Sequence, residues 1–157
     1  MQLVVDEHKA NAYSRLASIR LTMLTLRCME NWRRGVDDCE KALILVAVMA
    51  ISGERFTRGE ELQDGLKDIR NAFPAERLPR CNISSIAAAI GLNRETARRK
   101  VIELVEAGLL SRSSDGMVGF ASGVLETEAT AQLLRRQLEA VVRAMNELIR
   151  DGAVRFC

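Results

Sequence analysis

Residues 82–110 read NISSIAAAIGLNRETARRKVIELVEAGLL, and their spacing predicts two short helices joined by a tight turn. Ile86, Ala87 and Ile90 fall on one side of the first helix, because positions i, i+1 and i+4 share a face at about 3.6 residues per turn. Asn82 suits the N-cap, where its side-chain oxygen takes an orphan backbone N–H. Gly91 ends the helix, since glycine enters the left-handed conformation without a steric penalty. Leu92 plugs the corner. Asn93 caps a second helix that starts at Arg94, runs to about Ala107 and buries Ala97, Val101, Leu104 and Val105. Gly108 stops it, and Leu109 and Leu110 lead into an extended segment. The small Ala87 lets the two helices cross closely at a steep angle.

Two short strands follow, Leu109–Arg112 and Met117–Ala121, around Ser113-Ser114-Asp115-Gly116. Asp-Gly is a strong turn signal because both residues tolerate positive φ. A helix pair followed by a hairpin is thus the expected middle of the chain.

These residues resemble the winged helix-turn-helix regulators of bacteria. The segment Gly91-Leu92-Asn93-Arg94-Glu95-Thr96-Ala97-Arg98-Arg99 is similar to the recognition-helix start of the catabolite-activator type. Leu104 with Gly108-Leu109-Leu110 is a pattern shared more widely, including by MarR-type regulators. The resemblance runs from Asn82 to about Phe120, about a quarter of the chain. The preceding residues do not resemble the cyclic-nucleotide barrel of the catabolite-activator family, so no nucleotide ligand or other cofactor is carried over. The resemblance implies a mainly α fold: a winged helix-turn-helix domain with a small β-hairpin wing, flanked by long N- and C-terminal helices. Two positions depart from the family pattern. Lys100 stands where a small apolar residue is common, so its stem must lie along the core edge while the ammonium reaches solvent. Ala97 is smaller than the usual Val or Ile.

The chemistry such a domain needs is present. Arg94, Glu95, Arg98 and Arg99 lie on the polar side of the second helix near its N-terminus, the end that a recognition helix points into the major groove. Arginine grips guanine O6 and N7 with two parallel bonds, and glutamate accepts from cytosine N4. The resemblance makes Arg94, Glu95 and Arg99 the base-reading candidates. Asn93, Thr96, Arg98, Lys100 and Arg112 are the phosphate candidates. Asp115 at the hairpin tip argues against deep insertion into a negative groove. The plain alternative is a solvated charged helix face. A second alternative is a winged-helix module that binds a protein partner without sequence-specific DNA binding, since fold does not fix function. An enzyme is the weakest reading: there is no nucleophile–base pair, metal cluster or glycine-rich phosphate loop.

Composition sets the bounds. A chain of 157 residues, 48% apolar, is long enough for one domain with helical extensions. Aromatics make up only 4%, so Leu, Ile, Val and Ala do the packing, which favours helices. A net charge of +2 does not identify a nucleic-acid binder, but Arg94–Lys100 holds four basic residues against one acidic one, so the positive charge is concentrated there. Cys28, Cys39, Cys81 and Cys157 show no metal-like spacing, and His8 is the lone histidine; the cysteines read as reduced thiols of a cytoplasmic protein. The apolar run Ala42–Ile51 is about half the length that crosses a bilayer. No segment near the N-terminus has the pattern of a signal peptide.

Around this centre the chain divides into residues 1–36, 37–123 and 124–157. Met1–Val5 is frayed or a short extended piece. From about Asp6 to Arg33 a helix is expected, with Leu16, Ile19, Met23 and Leu26 on one row and Leu21, Leu24 and Cys28 on another; the second row packs against a partner subunit or a wide internal face. Gly35 breaks the chain. Asp37 with Glu40 forms a capping box before a helix that ends at Ser52-Gly53. Thr57 and Glu60 open a further helix to about Phe73, burying Leu62, Leu66 and Ile69, and Pro74 and Pro79 bracket a linker. The last helix runs from about Glu126 to Arg150. Its Ala131, Leu134, Leu138, Val141, Met145 and Leu148 form a coiled-coil-like seam, and Leu134 to Leu148 are the expected interface of a homodimer. No residues among the first helices announce a small-molecule effector.

Overall fold

The computed structural model describes residues 1–57, 68–69 and 77–157. These are mainly helical, with two small antiparallel two-stranded sheets. Thr57, expected to open a new helix, instead ends the helix Cys39–Thr57 with its hydroxyl on the Glu54 carbonyl, and Ile69 is half-buried in a turn; Leu62, Leu66 and the linker start at Pro74 lie outside the described residues. Two compact units result. One joins Met1–Asn31 to Leu133–Cys157; the other is Trp32–Gln132.

The central unit holds α3 (Cys39–Thr57), α4 (Ile83–Ile90), α5 (Arg94–Glu106), β2 (Leu110–Arg112) and β3 (Val118–Phe120). Ile44 and Val48 of α3, Ile86 of α4, Val101 and Leu104 of α5, and Leu110 and Val118 of the hairpin form one buried cluster. Caps fall where the side chains dictate. Asn82 accepts from the Ser85 N–H at 2.7 Å, and Asn93 from the Glu95 N–H at 2.8 Å. Gly91 takes φ 67°, which lets the Leu92 N–H turn back to the Ala87 carbonyl at 3.0 Å and closes α4. Cys81 bridges Val118 on the free side of β3, and its buried thiol donates to the Val118 carbonyl.

The entry to α3 differs by one residue from the expected capping box. Asp37 adopts φ 50° at the end of the preceding helix, where its N–H reaches the Arg33 carbonyl at 2.7 Å. Asp38 is the cap instead, accepting from the Lys41 N–H at 3.0 Å. The helix also runs through Ser52-Gly53 to Thr57. Gly53 costs about 1 kcal/mol relative to alanine there, which packing of the apolar face overrides. The hairpin turn is also not a two-residue Asp-Gly turn. The Gly116 N–H bonds to the Ser113 carbonyl at 2.9 Å, and among Ser113–Gly116 only Gly116, at φ 84°, is left-handed. The extra residue shifts the left-handed position to the end of the turn, as in a glycine bulge.

The terminal unit contains β1 (Leu3–Val5), α1 (Glu7–Ala12), most of α2 (Ser14–Arg33), most of α6 (Glu128–Arg150) and β4 (Val154–Phe156). The first helix is divided at Tyr13, whose φ −112° and ψ 27° leave the helical region. β1 pairs antiparallel with β4, and Arg20 of α2 reaches Glu147 and Asp151 at 3.2 Å each. The two ends of the chain therefore build one unit rather than two separate extensions. β4 is a strand that residues 154–156 did not announce. Thr127 caps α6 through the Thr130 N–H.

The seam on α6 splits. Leu134, Leu138 and Val141 are exposed, Met145 is half-buried, and Leu148 is buried beside Ala140 and Ala144. Leu148 therefore belongs to the inner face of its own unit, which corrects its expected place in an interface. Helical geometry contributes: a seam of strict heptads drifts by about 20° per heptad on a straight α-helix, so two heptads turn it by about 40° toward the line of the buried Ala140 and Ala144.

Candidate nucleic-acid interface

The second motif helix presents its first turns to solvent. Ala97, Val101 and Leu104 face the core, so Glu95 and Arg99, one turn apart, occupy the opposite line. Arg94 and Arg99 are exposed and have no ion-pair partner among the described residues. These two guanidiniums are the free forked donors of the site.

Glu95 is not free. Its two carboxylate oxygens take the Arg98 fork, with Nη2 to Oε1 at 2.6 Å and Nε to the two oxygens at 3.1 and 3.0 Å. The hydrogen bonds from Arg98, then its charge and that of Arg99, hold the Glu95 carboxyl below its ordinary range, and the same pair raises Arg98 further. A base-reading candidate and a phosphate candidate are thus clasped to each other. Asn93, another phosphate candidate, has its side-chain oxygen in the cap. Thr96 is half-buried.

Lys100 is the largest departure from the expected site. Its ammonium does not project to solvent but lies 2.5 Å from Asp38 Oδ2 and 3.7 Å from Glu40 Oε2, with only 15% of its side chain exposed. One turn further along both helices, Lys41 of α3 reaches Glu103 of α5 at 2.8 Å. The Asp38 hydrogen bond is the main cause that raises the Lys100 ammonium above its ordinary value, and the Lys100 bond in turn is the main cause that lowers Asp38. Sequence spacing gave no access to these pairs, because Asp38 and Lys100 lie 62 positions apart.

The hairpin supplies a second cationic edge. Arg112 is exposed at the end of β2, with its guanidinium over Gly116. Asp115 folds back on the loop, accepting from the Ser113 hydroxyl and the Met117 N–H, which with Ser113 first lower its carboxyl. Its charge is directed into the turn. Arg80 was not singled out in the sequence; it donates to the Ser111 carbonyl at 3.2 Å, and its stem lies against Gly119. Its only sequence signal is a basic residue directly before the Cys81 bridge.

No family model, curated protein or solved structure matches this chain. The geometry therefore has to carry the functional reading. Among the described residues no helix is long and apolar enough to cross a membrane, and no group of His, Cys, Asp and Glu is arranged to hold a metal ion.

Proposed function

We propose that this chain is a cytoplasmic, sequence-specific regulator of transcription that binds duplex DNA through a winged helix-turn-helix domain. The observation that carries the reading is the pair of exposed guanidiniums without an ion-pair partner among the described residues, Arg94 and Arg99, on the leading turns of a helix that is capped by Asn93 and backed by α4. Forked donors at the N-terminal end of an exposed helix match the groove edge of guanine, where two parallel bonds discriminate between bases. Arg112 on the hairpin supplies a phosphate contact flanking the helix. Glu95 reads a base together with its Arg98 partner, and Lys100 contributes no phosphate contact while Asp38 holds it.

The regulator acts as a homodimer on a pseudo-palindromic site. All of the exposed large hydrophobic side chains among the described residues lie in the terminal unit, most of them on α2, on α6 and on the terminal strands; none lies in the central unit. The buried hydrophobics of that terminal unit are only Ala140, Ala144, Leu148 and Ala153. So small a core is marginal by itself. A second copy laid over Leu134, Leu138 and Val141 would supply what the single chain lacks, and a two-fold axis would set two recognition helices roughly 34 Å apart, one DNA turn.

Selection from a random duplex pool tests the whole reading. A pseudo-palindrome should be enriched. Retention of all duplexes alike, or of none, would instead favour a module that docks on a protein.

A further inference from the structure

The two ion pairs between α3 and α5 are arranged in a way that a solvated charged face does not require. Asp38 meets Lys100, and one turn on, Lys41 meets Glu103. The polarity reverses from one pair to the next: acid to base, then base to acid. If α5 slid by one turn along α3, Lys41 would face Lys100, and like charges would meet. Only one register satisfies both pairs. The pairs are also partly withdrawn from water, with side-chain exposures of 26% and 15% for Asp38 and Lys100, and 24% and 37% for Lys41 and Glu103. Such pairs are screened less than exposed ones.

Asp38 has two tasks at once. Its Oδ1 caps α3 at the Lys41 N–H, 3.0 Å away, while its Oδ2 takes the Lys100 ammonium. The carboxylate is therefore fixed at the helix start by the cap before it meets its partner. Lys100 lies on the same rigid helix as Arg94 and Arg99, one residue beyond the latter. Whatever sets the rotation and rise of Lys100 sets where those guanidiniums point, and directional base contacts tolerate only about 0.5 Å of error.

We propose that Asp38 and Lys100, with Lys41 and Glu103 behind them, form a positioning lock that sets the register of the recognition helix, so that Asp38 determines DNA specificity without touching DNA. This rests on the DNA-binding reading above. The lock has a signature that ordinary electrostatics reverses. Removing a negative charge near a DNA-binding face strengthens binding to every duplex. Removing Asp38 from the lock should weaken binding to the preferred duplex alone.

The experiment uses the full chain, the duplex it enriches from a random pool, and a scrambled duplex of equal length. Asp38→Asn keeps the capping oxygen and loses the charge. Lys100→Met keeps the apolar stem and loses the ammonium. Each should cut affinity for the enriched duplex about tenfold while changing affinity for the scrambled duplex by less than about twofold. The double variant should be no worse than either single one, because both remove one interaction. The slope of affinity against salt should not change. Glu103→Gln, which disturbs no cap, should show a smaller loss of the same kind, and Lys100→Arg should restore part of the discrimination. Three results overturn the lock. Asp38→Asn could strengthen binding to both duplexes; Lys100→Met alone could weaken both and lower the salt slope by about one, the mark of a direct phosphate contact; or both variants could keep the wild-type discrimination. A wild-type chain that enriches no sequence would overturn the DNA reading itself, and the lock with it.

Discussion

Glu95 and Arg98 are joined across the first turns of α5 by a fork in which Nε and Nη2 of Arg98 engage both carboxylate oxygens of Glu95. In a solvent-exposed position the pair itself adds little to stability. Its importance is electrostatic. It cancels one of the positive charges of the leading turns and decides which guanidiniums stand unpaired on that face.

Replacing Glu95 with Ala should therefore act twice. The base position that Glu95 accepts from should lose its preference, by about 1–3 kcal/mol between the best and next base. Arg98, set free, should gain a phosphate, so affinity for unrelated duplexes should rise and the salt slope should steepen by about one. Titrations of labelled duplexes at several salt concentrations read both effects. An Arg99→Ala variant should differ: it relaxes one base position and frees nothing.

The acid side of the α3–α5 lock should appear in the pH dependence of stability. Asp38, held chiefly by the Lys100 hydrogen bond, and Glu103, held chiefly by Lys41, lie below their ordinary values of 3.8 and 4.5. A depressed carboxyl contributes its full stabilisation above the unfolded-state value and loses it as pH falls through the folded-state one. Lys100 is raised from 10.5, so its contribution is complete below that value and fades as pH climbs through the raised one. Denaturant melts of wild type and Asp38→Asn should differ at about pH 7 and converge as pH falls through the lowered folded-state value of Asp38. A gap that persists at low pH would assign the loss to something other than the charge of Asp38.

Gly116 should resist substitution more than its exposure suggests. Its φ of 84° is reached at no cost by glycine alone, and an added Cβ would come within 3.3 Å of the Arg112 guanidinium. Gly116→Val should destabilise the hairpin by about 1–2 kcal/mol and displace Arg112. Amide exchange should accelerate at Ser113, whose N–H bonds to the Met117 carbonyl across the turn, and at Met117, whose N–H bonds to the Asp115 carboxylate, while α4 and α5 stay protected. Unchanged exchange at those amides would remove Gly116 from its role.

Local signals carried the helix pair well and the long-range pairings not at all. Asn82, Gly91, Asn93 and Gly108 each act on backbone groups within a few residues, so the bounds of α4 and α5 could be read from the chain. The cap at Asp38 was displaced by one residue because two adjacent aspartates offer the same chemistry, and the left-handed turn that takes Asp37 depends on how α2 ends. The pairing of Leu3–Val5 with Val154–Phe156 joins opposite ends of the sequence, and three-residue strands carry too little alternation to show. Among the site residues, exposure of Arg94 and Arg99 followed from periodicity. The engagement of Lys100 did not, because its partner lies on another helix.

The α6 face offers the sharpest test of self-association, because neighbouring leucines of one seam have opposite surroundings. Leu148 is 5% exposed and Leu138 is 56% exposed. In a lone chain Leu148→Ala should cost about 2–4 kcal/mol, the loss of a buried leucine together with the cavity it leaves, and Leu138→Ala should cost almost nothing. In a homodimer joined through the outer face, Leu138 becomes a core residue, and its truncation should weaken association without loosening the central unit. The stronger change, Leu134→Glu with Leu138→Glu, sets charges on both sides of the joint and should leave a monomer in sedimentation at micromolar concentration. Because the terminal unit has so few buried hydrophobics of its own, its melting temperature in the wild type should rise with protein concentration, as linkage between folding and association requires, while that of the charged variant should be lower and independent of concentration. DNA binding gives the final check. A monomer holding one recognition helix should still contact a half-site, but its affinity for the pseudo-palindrome should fall by the two to four decades that a second, linked reading head supplies, an estimate of about 10²–10⁴ for bivalent binding. A wild-type chain that sediments as a monomer both alone and on the enriched duplex would show that the exposed leucines serve some other contact.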